Sequence, residues 1–227
     1  AWTEHTQTNW NGIIGDFCLE ASNPDYIESV KVFPDSSLKN VTVKIRIFSS
    51  GNQNKDISMR LKAYSLNSEE KHSARTKTCK LNLEPGINDF ELDYPMGRGV
   101  INWSEFNPGL YNLSVSLSGK DMADSTSVNF GMRRFSTAGT QFAINGITTF
   151  LRGKHDACVF PLTGHPPMDV DSWRRVFQIA KSYNINFYRF HSWTPPEAAF
   201  AAADIEGIYL QPELPFWGGL SKTRNTD

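Results

Sequence analysis

The sequence predicts a multidomain β plus α/β chain, an antiparallel β-sandwich of immunoglobulin-like size followed by a parallel βαβαβ segment. Three observations predict it. Apolar residues recur with period two in about seven short runs through the first 130 residues, with no convincing helix among them. Past Phe130 the period changes to that of amphipathic helices alternating with short apolar strands. With 39% hydrophobic and 21% charged residues, the composition suits a packed core rather than disorder, collagen or a coiled coil.

The opening stretch carries an Asn11-Gly12 turn signal and then a short apolar strand candidate over residues 13–19, but no complete hydrophobic unit. From about Tyr26 the alternation begins. Residues 27–33 form one run, and in the next Val41, Val43, Ile45 and Ile47 face one way while Thr42, Lys44 and Arg46 face the other. Similar runs occur at Ile57, Met59 and Leu61, at Leu81 and Leu83, over 87–92, and at Leu113, Val115 and Leu117, separated by turn-forming clusters.

The domain boundary is expected near 133–140. Residues 141–156 read as a strand pair hinged on Asn145-Gly146. Trp173, Val176, Phe177, Ala180 and Tyr183 then form one helical stripe with Asp169 as N-cap. After the strand-like INFYRFHS, Thr194 with Glu197 three residues on reads as a capping box opening an Ala-rich helix to about Glu206, which Gly207 closes. IYLQPEL is the next strand. Strand, helix, strand, helix, strand with short links requires a parallel sheet and right-handed crossovers. Side chains in FYRF and IYLQ are expected to need cover on both faces, so the sheet is expected to continue beyond this piece.

Charge and cysteine usage narrow the function classes. Lys plus Arg is 23 and Asp plus Glu is 24, a formal net charge of -1, so no global field draws the chain to nucleic acid or anionic lipid. Neither a ~20-residue apolar run nor a signal-peptide pattern is present, so no membrane partner is expected. Cys18, Cys79 and Cys158 are too widely spaced for a metal knuckle and allow at most one disulfide. Without HExxH or a close ligand pair, no metal is expected on His155, His165 and His191.

Several separate patterns resemble glycoside hydrolase family 2, the family of β-galactosidases, β-glucuronidases and β-mannosidases. Trp103, Pro108, Leu110, Tyr111 and Leu113 resemble its W…P.LY.L strand, Asp124 the acidic residue after it, and Phe130-Gly131-Met132-Arg133 its FGFR exit from the sandwich. Phe142, Asn145-Gly146 and Leu151-Arg152-Gly153 are similar to its F.LNG…LRG approach to the barrel. The helix through Lys181 and Asn186, the strand end at Arg189 and His191, and the run 204–213 resemble further segments in the family's order. The resemblance implies the end of a jelly-roll sugar-binding domain over 1–21, an immunoglobulin-like sandwich over 22–133, and the first units of a (β/α)8 TIM barrel over 134–227. It also implies a retaining hydrolase acting on terminal β-linked sugars, β-galactosidase-like, with no cofactor and an oligosaccharide or glycoside as substrate. A periplasmic or secreted location and a possible homo-oligomer are implied by the same resemblance.

Retention requires two carboxyl groups roughly 5 to 5.5 Å apart at the barrel's C-terminal rim. In the family the acid/base lies in an Asn-Glu pair after the fourth strand and the nucleophile ends the seventh. This sequence contains no Asn-Glu dipeptide, so no catalytic residue is assigned and the chain alone is expected to be inactive. Expected substrate-binding residues are those at the ends of its early strands: His155, Asp156, Arg189, His191, Trp193, Glu213 and Trp217.

Arg189 and His191 alternate on one strand and point the same way, where the Arg can orient a carboxylate and the His can donate to a sugar hydroxyl. The family spaces this Arg and His one residue further apart, and KHDAC replaces its usual Asn and His after LRG, which implies a different sugar specificity. Glu213 reads as a supporting carboxylate of the pocket. Trp193 and Trp217 offer flat faces for pyranose stacking, with a structural plug as the other reading of Trp217. Two rival functions stand beside this one: a non-catalytic carbohydrate-binding or adhesion module, and a compact enzyme using Glu213 with Asp156.

Overall fold

A computed structural model describes residues 12–120 and 122–215. The chain forms two compact units, one of residues 18–150 and the other of the described parts of 1–17 and 151–227.

The first unit is the expected sandwich. Its seven strands are β1 (Asp25–Pro34), β2 (Asn40–Ser49), β3 (Lys55–Ser65), β4 (Lys77–Leu83), β5 (Gly86–Pro95), β6 (Leu110–Gly119) and β7 (Ala123–Gly131). They form two antiparallel sheets, ordered β1-β2-β5 and β4-β3-β6-β7. Alternation creates the core: Val41, Val43, Ile45 and Ile47 from one sheet meet Met59, Leu61, Leu113 and Val115 from the other, all buried. Tyr111, buried near the start of β6, accepts a hydrogen bond on its hydroxyl from the Ile101 amide at 2.9 Å, tying the β5–β6 connection to the core. Where β1 slips register between Ile27 and Ser29, the Asp124 carboxylate on β7 accepts the Ile27 amide at 2.7 Å and joins the two sheets at that edge.

A small meander comes next, β8 (Phe135–Ala138), β9 (Gln141–Ile144) and β10 (Ile147–Thr149), ordered β10-β9-β8. Asn145 and Gly146, at φ 53° and 83°, make the positive-φ turn between β9 and β10 that this dipeptide favours. The expected strand pair over 141–156 therefore ends at Thr149, and β8 is an additional partner. The compact units divide after Phe150, so the meander groups with the sandwich rather than with the parallel strands, where the sequence placed the boundary near 133–140.

In the second unit β11 (Gly153–Asp156), β12 (Phe187–Phe190) and β13 (Tyr209–Gln211) form a parallel sheet, with α1 (Val170–Ser182) and α2 (Glu197–Glu206) as the two connections. This is the expected βαβαβ order, and among the described residues the sheet has three strands and no closed barrel. Asp169 caps α1, its carboxylate accepting the Ser172 amide at 2.8 Å. Trp173, Phe177 and Ala180 are buried with Tyr188 and Phe190, whereas Tyr183, at the C-cap, falls outside the stripe and is exposed.

Two local expectations fail for physical reasons. Residues 13–19 are not a strand: Ile13, Phe17 and Leu19 are exposed, and no described strand pairs with them. Thr194 does not cap α2, because its hydroxyl donates to the Glu213 carbonyl at 2.8 Å; Pro196 takes the N-cap position without a side-chain bond. The sheet face opposite the helices is mixed: Phe187 and Tyr209 lie on it toward the strand starts, and the exposed His155, Arg189 and Gln211 toward the strand ends. Of the proposed jelly-roll end, residues 1–11 lie outside the described residues, and 12–24 contain no strand.

Candidate functional site

The site is built where the three parallel strands end. Arg189 is the last outward-facing residue of β12, and the chain turns immediately beyond Phe190. The turn brings Ser192 to φ 59°, a left-handed conformation rarely adopted by a non-glycine residue. In that conformation the Ser192 amide donates to Glu213 Oε2 at 2.7 Å, while Arg189 Nε donates to Oε1 at 2.7 Å. His191 Nδ1 lies 3.4 Å from Oε2 and 3.4 Å from Arg189 Nη2. The backbone closes the same loop, with the Glu213 amide donating to the Trp193 carbonyl at 3.2 Å. The ring of His155, near the end of β11, lies 4.9 Å from that of His191 and is tilted to it by 43°.

The Ser192 amide, and next to it the Arg189 guanidinium, hold the Glu213 carboxyl below its ordinary range. A carboxylate so supplied with donors stays ionised at neutral pH and cannot serve as the proton donor to a leaving group. It can orient Arg189 and His191 and accept from a sugar hydroxyl. Glu213, Arg189, His191 and His155 thus form one cluster of charge and hydrogen-bonding capacity.

Two expected residues lie elsewhere. The strand pleat turns Asp156 to the opposite face, where it is buried: Lys154 Nζ donates to its Oδ2 at 2.9 Å and the Cys158 amide to its Oδ1 at 2.9 Å. Trp193 is 8% exposed, packed edge-on against Phe190 with centroids 5.1 Å apart and near Trp173, and its indole N–H donates to the Asp156 carbonyl at 3.2 Å. It is a core side chain rather than an open stacking face. Trp217 lies outside the described residues. His165 sits in a loop with Nδ1 2.9 Å from the Pro166 carbonyl.

The Ser192 amide and the Thr194 hydroxyl were not legible as partners of Glu213. Backbone donors leave no residue signature, and Thr194 carried a competing capping pattern. Burial pushes the Cys158 thiol up to about 12, with the Asp156 charge adding to it, so this cysteine is a packing residue and not a nucleophile. Among the described residues no group of three His, Cys, Asp or Glu side chains is arranged to hold a metal ion.

The patterns that carried the family resemblance also have structural work to do. Arg133 stacks over the Trp103 ring at 4.9 Å, and the Asn145 side chain donates to the Trp103 carbonyl at 2.9 Å. Asn186, buried between strands, accepts the Arg152 amide at 2.7 Å on its side chain and the Tyr209 amide at 2.8 Å on its carbonyl, setting β11 and β13 on either side of β12.

Residues 26–133 match the family described as "Glycosyl hydrolases family 2". Solved structures of similar fold include a glycosyl hydrolase family 2 member from Bacteroides cellulosilyticus, at 21% identity over 85% of this chain and 27% of that one, with a TM-score of 0.69. Bacteroides uniformis β-glucuronidase 2 aligns at 18% identity over 88% of this chain and 25% of that one, TM-score 0.71. Parabacteroides merdae β-glucuronidase aligns at 21% over 88% and 25%, TM-score 0.66. No curated protein matches the sequence.

The sandwich and the βαβαβ unit thus share their fold with solved glycoside hydrolase structures. Residues 26–133 belong to glycosyl hydrolase family 2, and the chain spans about a quarter of the length of the solved structures it resembles.

Proposed function

We infer that this chain is the sandwich and the first barrel strands of a retaining β-glycoside hydrolase, and that Arg189, His191, His155 and Glu213 line part of its sugar pocket. One observation carries the reading. The charged cluster lies at the C-terminal ends of parallel strands, on the face away from the helices, where a barrel fold places its chemistry. The rival compact enzyme is disfavoured because Asp156 is turned to the other face, occupied by Lys154 and the Cys158 amide, and cannot join Glu213 across one glycosidic bond. An adhesion module has no use for a carboxylate held ionised among two histidines and an arginine.

The β-galactoside expected from the sequence and the β-glucuronoside named for the solved neighbours are separated by charge. Arg189 is already committed to Glu213, so the described cluster offers no free arginine to a uronate, which favours a neutral sugar.

The test uses nitrophenyl β-galactoside and β-glucuronide. Expected is no turnover by the 227-residue chain and turnover by a longer gene product that carries it. In the longer protein Arg189→Ala lowers kcat/KM by about 100-fold, since it frees Glu213 and removes the oriented charge from the pocket. Turnover by the 227-residue chain that is lost on Glu213→Gln would instead establish the compact enzyme.

A further inference from the structure

The sandwich unit carries a concavity of its own, built from none of the strand-end residues and independent of the proposed sugar pocket. Three regions distant in sequence wall it: the β1–β2 turn, the loop after β5, and the meander at Arg134 and its β9–β10 turn. Its volume is about 650 Å³. It is lined by Lys39, Arg98 and Arg134, with Ser36, Ser37 and Asn102 among the polar groups, and by no carboxylate and no aromatic ring. In a chain whose formal net charge is -1, three cations in one groove without an acid are not a reflection of composition.

The walls are pinned to one another. The Met96 amide donates to the Lys39 carbonyl at 2.9 Å, and Arg134 Nη1 lies 3.4 Å from the Ser36 carbonyl. Asn145 clamps the third wall, accepting the Arg134 amide on its side chain at 2.8 Å and donating its own amide to the Arg134 carbonyl at 2.8 Å. The acid next to the groove in sequence, Asp35, is turned into its own loop, where it accepts from Ser37, Asn40 and the Lys39 amide. Lys39 and Arg98 are exposed, and neither forms an ion pair among the described residues.

We propose that this groove binds an anionic carbohydrate through its sulfate or carboxylate groups. A rigid site rich in cationic and hydroxyl donors suits charge-assisted bonds to such groups. Lacking a ring, it has no platform for stacking nucleobases or for a neutral pyranose. Charge therefore supplies the recognition, and the sugar hydroxyls between the anionic groups meet the serines and Asn102.

The 227-residue chain is titrated calorimetrically at low salt with a heparin hexasaccharide, an oligogalacturonate of equal length, a neutral cello-oligosaccharide and a single-stranded DNA of matched charge. Expected is binding of the sulfated or the carboxylated oligosaccharide, the two arms showing which group is read, and weaker or no binding of the other two. Lys39→Gln combined with Arg98→Gln lowers that affinity about tenfold or more and flattens its salt dependence. Both side chains are exposed, so the circular dichroism spectrum stays unchanged. Lys62→Gln with Lys80→Gln, exposed elsewhere on the sandwich, leaves binding intact. Absence of binding to either anionic oligosaccharide, equal affinity for DNA or for the neutral sugar, or equal loss in the control pair overturns the proposal.

Discussion

Asp25 at the start of β1 shows how much one carboxylate can hold together in this sandwich. It is 7% exposed and accepts from the Ser49 hydroxyl at 3.0 Å, the Ser50 amide at 3.1 Å and Lys55 Nζ at 2.7 Å. The Lys55 ammonium is the chief reason its carboxyl lies below the ordinary range. Asp25→Asn keeps the shape and removes the charge, and is expected to lower the urea-derived unfolding free energy by about 2 kcal/mol at neutral pH. That is less than a fully buried pair would lose, because the Lys55 side chain is 35% exposed and partly screened. Since the native pKa is depressed, the unfolded chain binds more protons at acid pH. The contribution is complete above the ordinary carboxylate range and disappears as pH falls through the native value. The gap between wild type and Asp25→Asn should therefore narrow as pH falls below the ordinary carboxylate range. A gap independent of pH would show that Asp25 acts through packing alone. Asp35, held to about 2 chiefly by the Asn40 side chain, contributes with the same sign.

At the scale of elements, what was legible tracked the strength of the periodic signal. Six of the seven sandwich strands alternate over several residues, while β7 shows only Val128 and Phe130, and α1 carries a long apolar stripe behind a side-chain cap. FSTA, which becomes β8, has no such alternation. It is a strand because the meander pairs it with β9, where Phe135 and Phe142 approach to 5.3 Å, and that information is tertiary. The cluster residues Arg189, His191 and Glu213 were legible because alternation and strand ends set their direction. Asp156 and Trp193 were misplaced because one strand end carries residues to both faces. Gly153 marks a constraint that spacing alone does not explain: a Cβ there would lie 2.5 Å from Phe187 Cδ1, its register partner on β12. Gly153→Val is therefore expected to displace the Phe187 ring and loosen β11 from β12. Amide exchange should show accelerated opening of 153–156 and 187–190 with the sandwich strands unaffected. Unchanged protection of both segments would show that the ring moves aside at no cost.

For the molecule as a whole, the two units have separate hydrophobic clusters of unequal size. The sandwich core draws mainly aliphatic residues from both sheets, whereas the smaller cluster under α1 and α2 combines Trp173, Phe177, Tyr188, Phe190 and Trp193 with Ala180, Ala199, Ala202 and Ala203. Burial of apolar area scales with the number and size of the side chains, so the second cluster, with eleven buried members against twenty, contributes less in total. Its sheet also has two open edges among the described residues, β11 and β13. The sandwich has long strands, each pairing over seven or more positions within its two sheets. Two cores that share no described cluster should not unfold in a single step. In a urea series monitored by hydrogen exchange and mass spectrometry, peptides from α1 and β12 should lose protection at lower denaturant than peptides from β2 and β6. Phe177→Ala, which empties a fully buried ring position packed on Tyr188, should lower the first midpoint by an amount worth about 3–5 kcal/mol and leave the second where it is. If both sets of peptides open together in wild type and shift together in the variant, the units are thermodynamically one body. The strand-end cluster would then be supported by the full stability of the sandwich instead of by its own thin core.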